Sequence, residues 1–469
     1  MDWELGDLAV DYARQGGASW AEARVEFAQV NSMTLRNGIL DNVDVDEPQG
    51  LGVRVLVGGS MAFASTSRLE RKEVKAAVDL ALASARASRR EHPLILGDAR
   101  PLEVRWEAEQ EQPFADLAVE DRLAEIQALD RAVTSTGLNM PGRLLTVTTK
   151  VMERYYATSE GARVRSRVPR LFLSAMLTAK EGSDVETGFR WLNYTGGWEG
   201  LRSLNPSEVL SHEAEVMHRA LREGKRVEPG RMDVLCGPQV VGIASHESCG
   251  HPVEADRILG REASQAGTSF ITPESVGERI GSEVVNVVDD PTVVHGGGFY
   301  LYDDEGVQAR RRYLYKEGRI HELLHNRESA GILGMETNAA ARTVGFNREP
   351  IVRMANTFVE PGDHSLEELL EDVRTGLYMV SFTEWNISDT RWNQKYTGRE
   401  AYLIEDGEIG GPVRGPALEV TTRAFWSSVD AVGKDFYLEG GLCGKGDPMQ
   451  GIEVSMGGPH VRLRAIPVR

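Results

Sequence analysis

The segment Ser245-His246-Glu247-Ser248-Cys249-Gly250-His251-Pro252-Val253-Glu254 follows the apolar run Val240-Val241-Gly242-Ile243-Ala244. Two imidazoles and two carboxylates therefore gather at the end of a buried element. A zinc-dependent hydrolytic site asks for such a set: neutral nitrogen ligands, and a carboxylate beside them to take a proton from water. The familiar zinc spacing, H-E-x-x-H, puts both histidines on one helical face. Here the gap is one residue longer. On a regular α-helix His246 and His251 point about 140° apart. They can share an ion only if the helix widens into a π-type turn or breaks between them. Gly250 relaxes the backbone just before His251, and Pro252 pushes His251 away from helical geometry. Taken alone, the segment suits either a metal site or a polar helix cap.

A second segment, His212-Glu213 followed by His218, falls within a stretch (207–223) that reads as a polar, exposed helix, and is assigned to a solvated face. A catalytic zinc takes three protein ligands and leaves one position for water. Two cysteines compete for the third place. Cys249 lies three residues after His246 and shares its face on an intact helical turn. Cys443 lies far downstream, in Gly440-Gly441-Leu442-Cys443-Gly444-Lys445-Gly446-Asp447. Its glycines permit close backbone approach, and Lys445 would favour the thiolate. The residues themselves leave both open, and a small buried hydrophobe is the competing reading for either. Cys236 is read as such a hydrophobe. Glu254 suits two roles equally, orienting a histidine or carrying a solvated helix charge. Asp303-Asp304-Glu305 reads as a turn rather than site lining, and Arg310-Arg311-Arg312 as solvated surface.

Outward from this segment, the chain has 469 residues, 41% of them apolar and 26% charged, which is ordinary for a globular protein of several domains. A net charge of −18 argues against nucleic acid and anionic membranes as main partners. Met1-Asp2-Trp3-Glu4-Leu5-Gly6-Asp7 has no signal-peptide character, and no apolar run approaches membrane-spanning length. The 3 cysteines make no disulfide framework, so a cytoplasmic setting is expected.

In chain order, a helix over 3–15, strands over 23–29, 33–37, 51–57 and 61–65, and an Ala-rich helix over 69–87 predict an N-terminal α+β domain, 1–95. The strands over 51–57 and 61–65 suit a hairpin. A polar stretch with prolines at 93, 101 and 113 reads as a linker. A helix over 114–136, strand-like runs between 143 and 180, and the 207–223 helix predict a central α+β domain, 110–228. The remainder, 229–469, is mostly strand-like with glycine-rich turns, including runs at 284–288, 299–302, 312–316, 352–359, 401–405, 418–422 and 452–456. One helix, 365–376, interrupts it. The fold class is therefore α+β, with a large, mainly antiparallel, barrel-like C-terminal domain that carries the metal helix.

Several stretches together resemble the TldD/PmbA metalloprotease family. They are His246-Glu247-x-x-Gly250-His251-x-x-Glu254, Asp303-Asp304-Glu305-Gly306, Arg353-Met354-x-Asn356-Thr357-x-x-x-Pro361-Gly362, Glu400-Ala401-Tyr402-Leu403-Ile404 and Cys443-Gly444-Lys445, with the strand from Gly50 to Val55 before them. They stand in the family's order and span nearly the whole chain. The complete H-E-x-x-x-H with the late cysteine is similar to the zinc-bearing TldD-type subunit, whereas PmbA (TldE) partners lack that full set. Gly446-Asp447-Pro448-Met449-Gln450 departs from the more usual Gly-Gln run after Cys-Gly-Lys.

The resemblance implies Zn2+ held by His246, His251 and Cys443, with Glu247 as general base for peptide-bond hydrolysis. It also implies a dimer that encloses the site in a cavity for unfolded or extended peptides. That dimer would be either a homodimer or a heterodimer with a PmbA/TldE-like subunit. Two other functions stay in view: a zinc amidohydrolase acting on a small-molecule or modified-peptide amide, and a non-enzymatic regulatory binding protein.

Overall fold

The computed structural model describes residues 2–88, 90–264 and 266–469. Strands of the first half join in one eight-stranded sheet. Its spine is the pair Trp20–Arg36 and Gly142–Thr158, antiparallel from Glu22 opposite Thr158 to Arg36 opposite Leu144. Gln49–Val57 and Ser60–Thr66 extend it on one side as the expected hairpin. Arg163–Glu181, Asp184–Thr195 and Glu103–Glu107 extend it on the other.

Helices cover this sheet with apolar stripes at helical spacing. Glu4–Gln15 and Arg71–Ala87 lay Leu5, Ala9, Ala13, Val74, Val78 and Leu82 against Val25, Val53 and Val55. Further along, Val119–Ser135 and Pro206–Glu223 pack Ile126, Leu129, Leu210 and Met217 against Leu145, Leu171 and Leu173.

Three expectations change here. The runs at 23–29 and 33–37 form one uninterrupted strand, whose chain reversal comes at Asn37-Gly38, where φ is 51° and 78°. The proline-marked stretch is no free linker: Glu103–Glu107 pairs in parallel with 163–167, and the Gly97 N–H donates to the Arg327 carbonyl. The 207–223 helix is not a solvated surface helix, because Leu210, Glu213, Ala214, Met217 and His218 on it are all buried.

The second half builds two sheets around one core. A nine-stranded sheet curls into a half barrel and is antiparallel apart from the Gly230–Cys236/Thr375–Met379 pair. In a six-stranded sheet, 312–316 leads through Val287–Asp289, Asn356–Val359 and Gln450–Gly458 to the edge strand Tyr437–Lys445. Between the sheets lies the helix Pro238–Ser245, mainly apolar and buried from Val240 to Ser245. Most of the expected strands are present. The run at 299–302 is not a strand; only Tyr302 forms a bridge there, to Gln308. The 365–376 helix stops at Glu371, because Thr375–Met379 leaves it to pair with Gly230–Cys236 and Ala401–Glu405.

Ion pairs, most of them buried, tie the two halves together. Arg54 holds Glu22 at 2.6 Å and Glu305 at 2.7 Å, Arg154 holds Asp304, and Arg327 holds Glu160 at 2.6 Å. Removing one partner of a buried pair leaves an uncompensated charge, at a cost of about 3–5 kcal/mol. No helix among the described residues is long and apolar enough to cross a membrane.

Candidate metal centre

The strand Gly230–Cys236 turns at Gly237 into the helix Pro238–Ser245, with proline in its first turn where no N–H partner is needed. This helix runs directly over the strand Gln450–Gly458: a Cβ at Gly242 would meet the Gly457 nitrogen at 2.7 Å. At His246 the helix widens into a π turn, His246–Gly250, and then tightens into a 3-10 turn, His251–Val253. The His251 N–H donates to the His246 carbonyl, so residue 251 closes one π turn above residue 246. The two rings lie 4.9 Å apart, centre to centre. Gly250 is required here by close approach, since a Cβ would fall 1.8 Å from Met354 Sδ.

The same widening takes Cys249 off the histidine face. Cys249 is fully buried beside Ser248 and Tyr315, and burial pushes its thiol well above the ordinary range. Cys443 reaches the pair instead. Its Sγ is 3.5 Å from His251 Nε2, and ligand atoms of His246, His251 and Cys443 all lie within 4.8 Å of one another. Burial raises the Cys443 thiol, but His251 and Arg353 outweigh it and bring it down to about 7. Lys445, expected to favour the thiolate, turns away to Asp256 (2.7 Å) and Glu254 (3.3 Å). Arg353 takes its place electrostatically and also donates to the Cys443 carbonyl.

Burial lowers the His246 imidazole below its usual range, which favours the neutral form that binds metals. Its Nδ1 is buried with no hydrogen-bond partner. His251 Nδ1 bonds Glu254 Oε2 at 2.8 Å, and that carboxylate also takes Arg257 Nε at 2.9 Å. Burial would raise Glu254, yet Lys445, His251 and Arg257 hold it well below the carboxylate range. Of its two suggested roles, Glu254 fills the buried one: it fixes the ring of His251 and leaves Nε2 facing Cys443. Two imidazoles and a thiolate form a borderline-soft donor set that fits zinc rather than magnesium or calcium.

Glu247 lies at the rim of the same cluster. Its Oε2 accepts from Arg391 Nη1 at 2.5 Å, and its Oε1 from Trp385 Nε1 at 3.2 Å. Burial pushes this carboxyl up, but His251, Arg391 and His246 pull it below its ordinary value. The cluster opens into a cavity of about 220 Å3 walled by Phe189, Trp191, Phe382 and Trp385, with Arg190 and Arg399 among the polar lining. Phe189 and Trp191 come from the N-terminal sheet, so both halves of the chain build this cavity.

Sequence reading missed Arg391, Trp385, Arg190 and Arg399. Arg391 sits at φ 65°, in a loop with no recognisable motif. Phe189 and Trp191, two residues apart on the Asp184–Thr195 strand, are a signal in the sequence that could have marked a wall there. Asp303, Asp304 and Glu305 form a turn, as expected, and do not line this cavity. Their burial has another cause: Asp304 and Glu305 hold the Arg154 and Arg54 ties between the halves. In the 353–357 stretch, Arg353 holds the Cys443 strand and Met354 fills the space left by Gly250.

Comparison with known proteins agrees along the whole chain. Residues 229–469 match the PmbA/TldA metallopeptidase C-terminal domain, 21–85 match domain 1 and 112–222 the central domain. A metalloprotease of Methanothermobacter thermautotrophicus is 32% identical over 98% of this chain and 97% of its own length. A zinc metalloprotease TldD homolog of Saccharolobus solfataricus is 25% identical over 97% of this chain and 98% of its own. The crystal structure of TldE from Thermococcus kodakarensis shares the fold, with a TM-score of 0.76 at 18% identity over 99% of each chain. Family models over all three regions, and a relative matched nearly end to end, make this chain a member of the PmbA/TldA (TldD/PmbA) metallopeptidase family.

Proposed function

We propose that this chain is a zinc-dependent peptidase of the TldD type, in which His246, His251 and Cys443 hold the ion and Glu247 is the general base. The observation that carries the reading is the convergence of a distant thiol on two histidines brought together by a π turn. A bound zinc would polarise the scissile carbonyl and lower the pKa of water towards about 7. Glu247 takes a proton from the attacking water and returns it to the leaving amine. Arg391 and Trp385 keep Glu247 ionised and oriented; each carboxylate oxygen retains a free lone pair for the proton. Glu254 holds His251 in the required tautomer.

An extended peptide is the substrate that suits this cavity. Tyr437–Lys445 is the edge strand of its sheet, and Gly440, Leu442 and Gly444 on it line the cavity. A peptide added along that edge would bond through its backbone, which favours unfolded chains over a particular sequence. Dimerisation, with a second copy or a PmbA/TldE-like subunit, would close the cavity further. A cytoplasmic location and a division into 1–95, 110–228 and 229–469 complete the proposal.

Metal analysis of purified wild type beside Cys249→Ala and Cys443→Ala tests it. Zinc is expected in the wild type and in Cys249→Ala, and lost in Cys443→Ala. Equal retention by both variants removes the third ligand. Cleavage of small amides without cleavage of unstructured peptides would instead favour an amidohydrolase.

A further inference from the structure

A second cavity, of about 60 Å3, lies where the N-terminal sheet meets the C-terminal domain, and shares no lining residue with the catalytic cavity. One water needs roughly 10–15 Å3, so there is room here for several waters or one small ion. Four cations line it: Lys150, Arg154, Arg170 and Arg342. Arg154 is already committed to Glu26, at 2.8 Å, and to Asp304. Arg170 donates to the Phe299 carbonyl at 3.1 Å, and Arg342 to the carbonyls of Met354 and Glu453 at 2.7 and 2.9 Å. Among the described residues, neither of these guanidiniums, nor Lys150, has a carboxylate in ion-pair contact.

The counter-charge is thin. Asp304 is spent on Arg154 and the Thr343 N–H. Asp303 turns its oxygens to the N–H groups of Glu305, Val307 and Ala341. That leaves Glu453. Burial would raise it, but Lys150, Arg170 and Arg342 hold it down at about 2. Burial draws Arg170 down to about 10, against the pull of Glu453, and Arg342 and Arg154 add to the fall. Two donors complete the picture: Arg170 Nε and Trp106 Nε1 are buried beside this cavity without an acceptor. Water can satisfy such donors but cannot neutralise three cations gathered around one carboxylate.

We propose that this cavity is a second ligand site, taking a small oxyanion of the phosphate or carboxylate class. Guanidiniums match such anions in charge and in the spacing of their N–H groups. The site adjoins the catalytic hairpin: Gly451, Ile452 and Glu453 line it, and they pair with Gly444, Cys443 and Leu442. The anion would come from free phosphate or from the terminal carboxylate of a peptide.

The test is calorimetric titration of the full-length, metal-replete protein at constant ionic strength. The probes are inorganic phosphate, acetyl-dialanine and acetyl-dialanine amide. Saturable binding is expected, weakened about tenfold in both Lys150→Met and Arg170→Met, with metal content unchanged. Binding of phosphate alone identifies free phosphate as the source; binding of the acid and not its amide identifies a peptide terminus. If Arg170→Met fails to fold, Lys150→Met carries the comparison, because that ammonium makes no hydrogen bond among the described residues. No saturable binding of any probe, or binding equally tight in the variants, overturns the proposal.

Discussion

Two segments of this chain set a histidine beside a glutamate and follow them with a second histidine: 212–218 and 246–251. Their chemistry is alike on paper, and their fates are opposite. In the first, the regular helix Pro206–Glu223 carries on, and residues six apart diverge by about 120°. His212 faces outward to Glu400 at 3.1 Å, while His218 turns inward to the Asn139 carbonyl at 3.1 Å. Glu213 between them is drawn into ion pairs with Arg399 and Arg190. In the second, the helix widens by one residue at the right place, and the rings meet. A histidine-glutamate pair becomes a candidate site through the backbone that carries it and the walls around it.

Four experiments probe these histidines and their supports. The largest effect is expected from Glu247→Gln: peptidase rate should fall by about 10²- to 10⁴-fold, with zinc retained. Loss of zinc would mean that Glu247 is structural. Next comes a fourth buried histidine, His325, which burial holds down at about 4. Its folded value lies below the unfolded one near 6.5, so the unfolded chain binds the extra proton between them. Its contribution to stability is intact above pH 6.5 and fades as pH falls towards 4, by on the order of 3 kcal/mol. Denaturant melts of His325→Gln should show a flatter pH dependence than wild type across that window, and parallel curves would refute the assignment.

Gly250→Ala should cost about 1–3 kcal/mol by overpacking against Met354, and Met354→Ala in the same chain should restore part of it in chemical denaturation. The smallest effect belongs to the other segment. His212→Ala breaks an exposed pair and should change stability by no more than about 1 kcal/mol, with metal content untouched. A fall in zinc there would mean that both segments take part in holding the metal.

Much of the site was legible because its signals are local. The extra residue between His246 and His251 demanded a widened or broken helix, and Gly250 and Pro252 advertised the means. The choice between Cys249 and Cys443 was not legible from the residues, since it depends on how far a π turn rotates Cys249 away. Lys445 looked like the neighbour that would ionise the thiol, yet strand packing sends it to Asp256 and brings Arg353 in. The stretch around the prolines looked like a linker because a single short strand, Glu103–Glu107, carries little pattern of its own. Its partner lies some sixty residues away, at 163–167.

Elements whose causes lie within a few residues could be read directly along the chain. These include the amphipathic helices, the Asn37-Gly38 reversal, the buried apolar helix and the disturbed turn that follows it. Backbone preference and hydrophobic spacing act over one or two turns, so they can be read along the chain. Which cysteine meets the histidines, which arginine anchors Glu247, and the sharing of one cavity's walls by strands from both halves were settled by packing in three dimensions. Those outcomes depend on contacts between residues more than a hundred positions apart, where packing and the burial of charge choose among partners that look equivalent in one dimension.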